Sequence, residues 1–513
     1  MRIIAGESRF AAERHGMDNL SDALNEAFEV HDRFQIEMKF SYPLDPAQEV
    51  NTYHVDTYFF LPKNLFINRL TYKRDDFFND LQRYIRLKTP AYLLRVIDDG
   101  DNCPLKKLSR AMDRLATGGG EAQRRSYHER LKMFCSIMKS ALRDEESFLE
   151  REAARSQLPT LIDRYLTSTA SILSQYRELR LVLQAPSVSA DDRELFALVD
   201  EFLSVTANRY RYRLWKSLEG MAGEPWAVAV RRAIAAACGY EIGYRRDNGY
   251  PSVPTADGDN EEFVYREGVL KKIMAGVLFL RTSTRRDGVL LENVLFGIAA
   301  GVAMTFATGV AFLSKSLFLQ EFSATFFVIL VVAYMWKDRI KEWLRSYFAS
   351  RLRRVIYDYR TTVFSELGRE VGVCKESFSF LREADLEPRV VALRNRSFLS
   401  LMENGELGED IILARREVRL RSADCAHLFA DFDVRGVVDI MRFNVRRFLE
   451  KMDNPKKEIP MPAPDGGLCA VKAKRVYHVN VILRCHAPGQ PDAWHRFRLV
   501  LNRNGIQRLE PIA

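Results

Sequence analysis

The stretch that decides the fold runs from Val294 to Leu313 and reads VLFGIAAGVAMTFATGVAFL, without a single charged residue. At a rise of 1.5 Å per residue, a helix of this length extends about 30 Å, which is the thickness of the hydrocarbon core of a bilayer. The sequence therefore predicts a transmembrane helix over 294–313.

A second apolar run covers 317–336, after the short polar stretch Ser314 to Ser316, and only Gln320 and Glu321 interrupt it. A carboxylate is costly at the bilayer centre and tolerated near the headgroups, so we expect Glu321 at the outer interface. The two runs together predict a two-helix transmembrane hairpin. The alternative is a buried helix pair in a soluble core.

Basic residues flank both runs, whereas Lys315 is the single cation between them. The positive-inside rule then places both termini in the cytoplasm, in a multi-pass protein of the cell (inner) membrane with two spans. The flanks also predict contact with the lipid bilayer and with anionic lipid headgroups. The expected contact residues are Arg281, Arg285, Arg286, Lys337, Arg339, Lys341 and Arg345.

Small residues recur every four positions in the first run, at Gly297, Gly301, Thr305 and Gly309. Such a stripe allows close approach of two helix backbones in lipid. We expect it to pack against the second run, with a homo-oligomer contact as the alternative.

Composition limits what else the chain can be. With 513 residues and a mean hydropathy of −0.22, it cannot be a transporter of many spans. The net charge is +9, but the densest basic clusters flank the apolar runs, so anionic lipid accounts for the charge better than nucleic acid does. Seven scattered cysteines without a CxxC pair are typical of a reducing compartment, and we see no signal peptide.

The remaining pattern predicts a membrane-anchored α+β protein with a cytoplasmic helical bundle. The regions expected from glycine, proline and periodicity are 1–74, an α+β amino-terminal region; 75–248, a cytoplasmic helical domain; 249–262, a linker; 263–293, a juxtamembrane amphipathic helix; 294–313 and 317–336, the two spans; 337–370, a stalk helix; and 371–513, an α+β carboxy-terminal domain.

Both ends of the chain carry alternating, strand-like patterns, at 34–42 and 50–61 and again at 477–485 and 497–501. An isolated two-stranded hairpin is marginal in water, so these terminal β-hairpins could share one antiparallel sheet, covered by a helix that buries Val438 and Val445. Two separate small domains are the alternative.

The chain has no P-loop, dinucleotide, zinc-protease or nucleophile-elbow motif, so we predict no cofactor and no metal. The weak catalytic candidates are His54, Asp56, Asp431, Asp433 and His478. Histidines on strands are usually structural, and aspartates before a helix usually cap it.

We therefore predict a membrane-anchored binding or regulatory protein, a scaffold or a sensor of unknown ligand, with a protein partner or a homo-oligomer as further expectations. A membrane-tethered enzyme with a site between the terminal β-regions and a small oligomeric pore are the alternatives.

Overall fold

The computed structural model describes residues 28–151, 153–221, 223–317, 324–365, 368–394, 408–426, 430–432, 434–464 and 466–512. In these ranges the chain forms 12 helices and 14 strands, arranged in two compact units. The first unit comprises Met1–Ile85, Leu280–Leu428 and Gly436–Ala513, and the second comprises Arg86–Phe279 and Phe429–Arg435.

The first unit is built on β-sheets. Its strands are β1 Phe28–Val30, β2 Gln35–Pro43, β3 Val50–Pro62, β4 Leu81–Leu87, β5 Arg281–Arg286, β6 Tyr359–Phe364, β7 Glu370–Leu381, β8 Glu409–Arg421, β9 Gly436–Asn444, β10 Lys456–Pro462, β11 Leu468–Lys474, β12 Tyr477–His486, β13 Ala493–Asn502 and β14 Gly505–Pro511. The eight-stranded sheet has the order β14-β13-β12-β3-β8-β7-β6-β5, the four-stranded sheet has the order β1-β2-β9-β4, and β10 and β11 form a separate ribbon.

Strand β3 lies near the middle of the large sheet and explains how the two sheets pack. Its Tyr53, Val55 and Phe59 are buried on one face, and the Phe59 ring lies 5.5 Å from that of Phe443 on β9. On the opposite face, Tyr58 and Phe60 belong to a second apolar cluster. The alternation of side chains along a strand lets one strand contribute to both.

The helices of the first unit are α1 Arg74–Asp80, α8 Val289–Leu317, α9 Ala324–Val355, α10 Pro388–Arg394, α11 Ser422–Ala426 and α12 Arg446–Leu449. Helix α10 contributes Val390 to the cluster around Tyr58 and Phe60, and thereby covers part of the open face of the large sheet. Helix α8 follows β5 and helix α9 precedes β6, and these two strands pair with each other. The chain therefore leaves the sheet through α8 and returns through α9 to the same edge.

A network of buried charges lies between the two sheets. The Arg416 Nε atom lies 2.6 Å from Asp439 Oδ2, its Nη1 atom contacts Glu376, and the hydroxyl of Tyr42 lies 3.5 Å from Asp439 Oδ2. Burial raises the pKa of the Asp439 carboxyl, and the charge of Arg416 opposes this rise. Arg83 pairs with the other oxygen of Glu376. Each of the two carboxylates thus has an arginine partner.

The second unit is helical and consists of α2 Pro104–Gly118, α3 Glu121–Arg151, α4 Leu158–Glu178, α5 Ala190–Ser217, α6 Pro225–Asp247 and α7 Glu261–Ala275. Helix α5 starts at a capping box, in which Ser189 Oγ accepts the Asp192 backbone N–H at 3.2 Å and Asp192 Oδ2 accepts the Ser189 backbone N–H at 3.1 Å. These two bonds satisfy donors that a helix start leaves open.

The predicted two-helix transmembrane hairpin is wrong. In the described residues one helix, over Val289–Ser314, has the length and the apolar composition to cross a membrane. The described apolar part of α9 covers 324–336, and the charged Lys337 follows it. It is about 20 Å long, whereas the hydrocarbon core of a bilayer is about 30 Å thick. The residue Glu321 lies outside the described residues.

The predicted localisation fails for the same reason. Because β5 and β6 are paired, a chain that crossed a bilayer through α8 would have to cross back through α9. Helix α9 does not qualify as a second span, so a two-span inner-membrane protein with both termini in the cytoplasm is not supported.

Three other predicted helices also differ from the structure. The juxtamembrane helix expected over 263–293 ends as α7 at Ala275, and β5 follows at Arg281. The helix expected to bury Val438 and Val445 is mainly strand β9, followed by the short α12. The stalk helix expected to reach residue 370 ends at Val355, and β6 follows at Tyr359.

The two chain ends do meet in one sheet, although not as the predicted four strands. Strand β3 pairs with β12 from Phe60 opposite Asn480 to His54 opposite His486. Strand β2, however, pairs with β9 in the other sheet, and the shared sheet has eight strands. The pairing of the ends is confirmed, and the predicted sheet composition and covering helix are wrong.

Candidate functional site

The structure brings two of the catalytic candidates to the open face of the large sheet. The rings of His54 and His486 lie 5.8 Å apart between centroids. Two residues along, Arg484 Nη1 lies 4.0 Å from Asp56 Oδ2. Burial raises the pKa of the Asp56 carboxyl, and Arg484 and Arg415 oppose the rise.

Arg484 and His486 already have a fixed partner in Asp492. Asp492 lies 2.8 Å from His486 Nδ1 and accepts a hydrogen bond from Arg484 Nε at 2.9 Å. Burial alone would raise the pKa of the Asp492 carboxyl, but these two hydrogen bonds lower it below its usual value. Cross-strand charge pairs of this kind stabilise a sheet face.

The other three candidates lie elsewhere. His478 is eight residues from His486 along β12, which corresponds to about 27 Å of extended strand. Asp431 belongs to the second unit, where it pairs with Arg130. Asp433 lies outside the described residues. Across the described ranges, no group of three histidine, cysteine, aspartate or glutamate side chains could hold a metal ion.

A large cavity opens at the base of α8, which we define as the first turn, Val289–Glu292. It has a volume of about 1070 Å³ and is bounded by this turn, by the end of α9, by residues 69–75 and by the ends of β7 and β8. We call it the basic cavity because six cations line it. These are Arg69, Lys73, Arg74, Arg286, Arg382 and Arg415.

The cavity wall is held in place through Asp358, just before β6. Its Oδ2 atom accepts the backbone N–H of Phe378 at 2.8 Å, and its Oδ1 atom accepts from Arg74 Nη1 at 3.2 Å. Its backbone carbonyl accepts the N–H of Asp287 at 3.1 Å. This last bond fixes the turn from β5 into α8.

Gly288 occupies that turn with a φ of +71°, a conformation that side chains disfavour. A Cβ atom there would lie 2.5 Å from the Ile356 side chain. Both the backbone conformation and the close approach of Ile356 therefore require glycine at this turn. The approach also holds the start of α8 against the end of α9.

Six cations and five carboxylates line the basic cavity, which gives a net charge of +1, but they are not all paired. Arg74 and Arg382 have carboxylate partners, at 3.2 Å from Asp358 and 2.9 Å from Asp385. In the described structure the other four cations have no carboxylate within 4.0 Å, and they are Arg69, Lys73, Arg286 and Arg415. Two lining acids, Asp287 and Glu292, likewise have no cation within 4.0 Å among the described residues.

One of the unpaired cations has further capacity to bind. The Arg415 Nε atom is buried and has no hydrogen-bond partner among the described residues. The wall nearby is apolar, with Leu381, Leu413 and Ile356. Guanidinium groups bind phosphate and carboxylate oxygens, and the adjoining apolar wall suits the hydrocarbon part of an amphiphile. The geometry therefore suits an anionic amphiphile better than a free ion.

The predicted lipid-contact residues lie on two elements, strand β5 and helix α9. Arg281, Arg285 and Arg286 are exposed on β5, the edge strand of the large sheet. Along α9, Arg339 and Lys341 are exposed, Lys337 Nζ lies 3.6 Å from the Tyr334 ring centroid, and Arg345 lies over the Phe296 ring at 4.4 Å.

The small-residue stripe does not make the contact with α9. A Cβ atom added at Gly297, Gly301 or Gly309 would have no neighbour within 4 Å, and Thr305 is exposed. The residues of α8 that are buried are instead Ala299 and Ala303, offset by two positions from the stripe. The glycines of the stripe thus have no close neighbour in the described structure, and a homo-oligomer contact stays a prediction.

Sequence reasoning missed Arg69, Lys73, Arg382 and Arg415 as members of a site. They come from segments more than 300 residues apart that meet only through the pairing of β3, β7 and β8. No local motif signals such a set, whereas Arg286 could be singled out because it precedes an apolar run. Comparison with known proteins adds no assignment, since no family model, no curated protein and no solved structure matches the chain.

Proposed function

We propose that this protein binds the surface of an anionic bilayer, with α8 lying in the interface and the basic cavity holding the phosphate of a lipid headgroup. The observation that carries the proposal is the position of a long, exposed, apolar helix directly at the rim of a cavity with unpaired cations. The role is one of binding, as a scaffold or sensor, and no reaction is assigned.

Helix α8 is exposed to an extent that a water-facing helix does not tolerate. Just 11% of the most apolar stretch of this helix is buried. Near its two ends, the side chains of Leu290 and Phe312 are 80% and 73% exposed. Ile298 and Val302 between them are about half exposed. A continuous apolar surface of this length favours contact with lipid or with another protein.

Charge favours an interfacial position of α8 over a position that crosses the bilayer. Helix α9 packs alongside α8 and carries six charged residues between Lys337 and Arg345. Each would cost about 2.5 to 3.5 kcal/mol at the centre of a bilayer, which argues against immersing the pair. A helix lying in the interface keeps these charges at headgroup level while its own apolar face enters the acyl region.

The basic cavity supports the same orientation. Because the base of α8 lines the cavity, a helix lying along the interface would bring Arg286 and Arg415 to the level of lipid phosphates. Each cation near an anionic surface contributes about 1 kcal/mol to binding, and the contribution falls off within a Debye length.

Vesicle flotation tests the proposal. We expect the protein to float with phosphatidylcholine vesicles that contain phosphatidylglycerol and to bind pure phosphatidylcholine vesicles several-fold less. Substituting Leu290→Asp together with Ile298→Asp should abolish flotation, because two carboxylates would enter the apolar face. The matched control is Leu181→Asp, which changes a leucine that is 70% exposed in the second unit.

A second pair of variants tests the cavity. Arg415→Gln and Arg286→Gln should each weaken binding to anionic vesicles about fivefold, whereas Arg503→Gln, at an exposed position on the β13–β14 turn, should not. Equal binding to neutral and anionic vesicles would reject the headgroup assignment. Binding of inorganic phosphate without any binding of vesicles would reject the membrane itself as the source of the anion.

A further inference from the structure

The second unit contains a separate cavity, independent of the proposed membrane surface. It has a volume of about 580 Å³ and lies between α4 and α6, with α5 contributing Arg211. Its walls include Leu166 and Ala170 from α4 and Ala237 from α6. A cavity of this size holds a small organic molecule.

Arg211 is a buried cation without a carboxylate. Its side chain is 2% exposed, and no carboxylate of the described chain lies within 4.0 Å of it. Its Nη1 atom donates to the carbonyl of Ala237 at 3.3 Å, and its Nε atom is buried without a hydrogen-bond partner among the described residues. A buried charge is costly unless it is paired, so this guanidinium favours a counter-anion.

The acids nearby are already engaged. Glu241 accepts two hydrogen bonds from Arg177, at 3.2 and 2.7 Å, and a third from Ser204 Oγ at 2.6 Å. Burial alone would raise the pKa of the Glu241 carboxyl, but the bonds to Arg177 and Ser204 lower it, so the group stays ionised. Arg177 also donates to Asp200 at 3.1 Å. Glu241 therefore attracts Arg211 at a distance and does not neutralise it by direct contact.

A second buried donor, the hydroxyl of Tyr165, belongs to α4. It has no hydrogen-bond partner among the described residues. Burial raises the pKa of Tyr165, and Arg211 is the charged group that most opposes this rise. Tyr165 does not line the cavity, so the donor that the cavity wall offers to the oxygens of an anion is Arg211.

We propose that this cavity binds a small organic monocarboxylate, with its oxygens on Arg211 and its apolar part against Leu166, Ala170 and Ala237. A planar guanidinium matches a carboxylate in shape. The carboxylates of Glu178 and Glu241 also line the cavity, and they repel a dianion such as phosphate more strongly than a monoanion.

Isothermal titration of the full-length protein tests this proposal, with benzoate as the probe and inorganic phosphate as the second arm. We expect millimolar or tighter binding of benzoate and no binding of phosphate. Arg211→Lys should weaken benzoate binding about tenfold, because an ammonium keeps the charge but loses the two parallel hydrogen bonds that a guanidinium gives a carboxylate. Arg211→Met should abolish binding, and Arg232→Met, on the exposed surface of α6, should leave it unchanged.

Arg211→Lys also separates a loss of binding from a loss of fold, because it keeps a cation at the buried position and its melting temperature is compared with that of the parent. A variant that melts like the parent and binds benzoate less tightly supports the proposal. No benzoate binding by the parent, equal binding by Arg211→Met, or a preference for phosphate would each overturn it.

Discussion

Glu37 provides a prediction whose size can be worked out from the structure. It lies on β2 opposite Arg442 of β9, whose Nε atom donates to its Oε2 atom at 2.6 Å, and Lys39 Nζ lies 2.8 Å from its Oε1 atom. Burial alone would raise the pKa of Glu37, but the bonds to Lys39 and Arg442 outweigh this and lower the pKa from 4.5 to about 2.

At about 1.4 kcal/mol per pKa unit, this shift corresponds to at most about 3 kcal/mol of stability. Lys39 is partly exposed, so solvent screening reduces the expected value to about 2 kcal/mol. Since the pKa is lowered on folding, the contribution is fully present above pH 4.5 and is lost as the pH falls towards 2.

Hydrogen exchange in the amides of β2 and β9 measures this effect, after correction for the intrinsic exchange rate at each pH. Glu37→Gln should lower the local unfolding free energy by about 2 kcal/mol at neutral pH, and parent and variant should converge near pH 2. A difference that stays constant from neutral pH to pH 2 would refute the reasoning, because it would show a loss of packing instead of a loss of charge.

Three further predictions concern the stability of the folded protein. Ala303→Leu should separate α8 from α9 and lower stability by about 1 to 3 kcal/mol, whereas Gly301→Leu should leave it nearly unchanged, and thermal melting of the two variants compares them. Arg416→Met should cost about 3 to 5 kcal/mol in denaturant unfolding, since it leaves the buried Asp439 carboxylate without its partner. Ser189→Ala should cost about 1 kcal/mol in the same assay through loss of the α5 cap.

The sequence carried information about local elements wherever one periodicity dominated. The β3 and β12 strands alternate clearly, and they form as expected. Strand β9 does not alternate, because it is buried between neighbours and four consecutive residues from Gly436 to Asp439 are buried. The spacing of its apolar residues therefore also fits a helix, and periodicity alone predicts the wrong element for this segment.

The transmembrane prediction failed for a different reason. The second span was expected over 317–336, whereas the described apolar part of α9 covers 324–336, about 20 Å. The pairing of β5 with β6 then requires that both helices cross or that neither does. The basic cavity also depends on this topology, since Arg69, Arg286 and Arg415 come from three distant segments.

The position of α8 in a bilayer is the most direct test of the account. A nitroxide or an environment-sensitive dye would be placed at Leu290, Ile298 and Phe312 in turn, with Cys238 and Cys469 replaced by serine, and its depth measured in vesicles that contain phosphatidylglycerol. An interfacial helix predicts the same shallow depth, about 5 to 10 Å, at all three positions. A depth that increases towards the bilayer centre at Ile298 and decreases again at Phe312, or no immersion at any position, would contradict it.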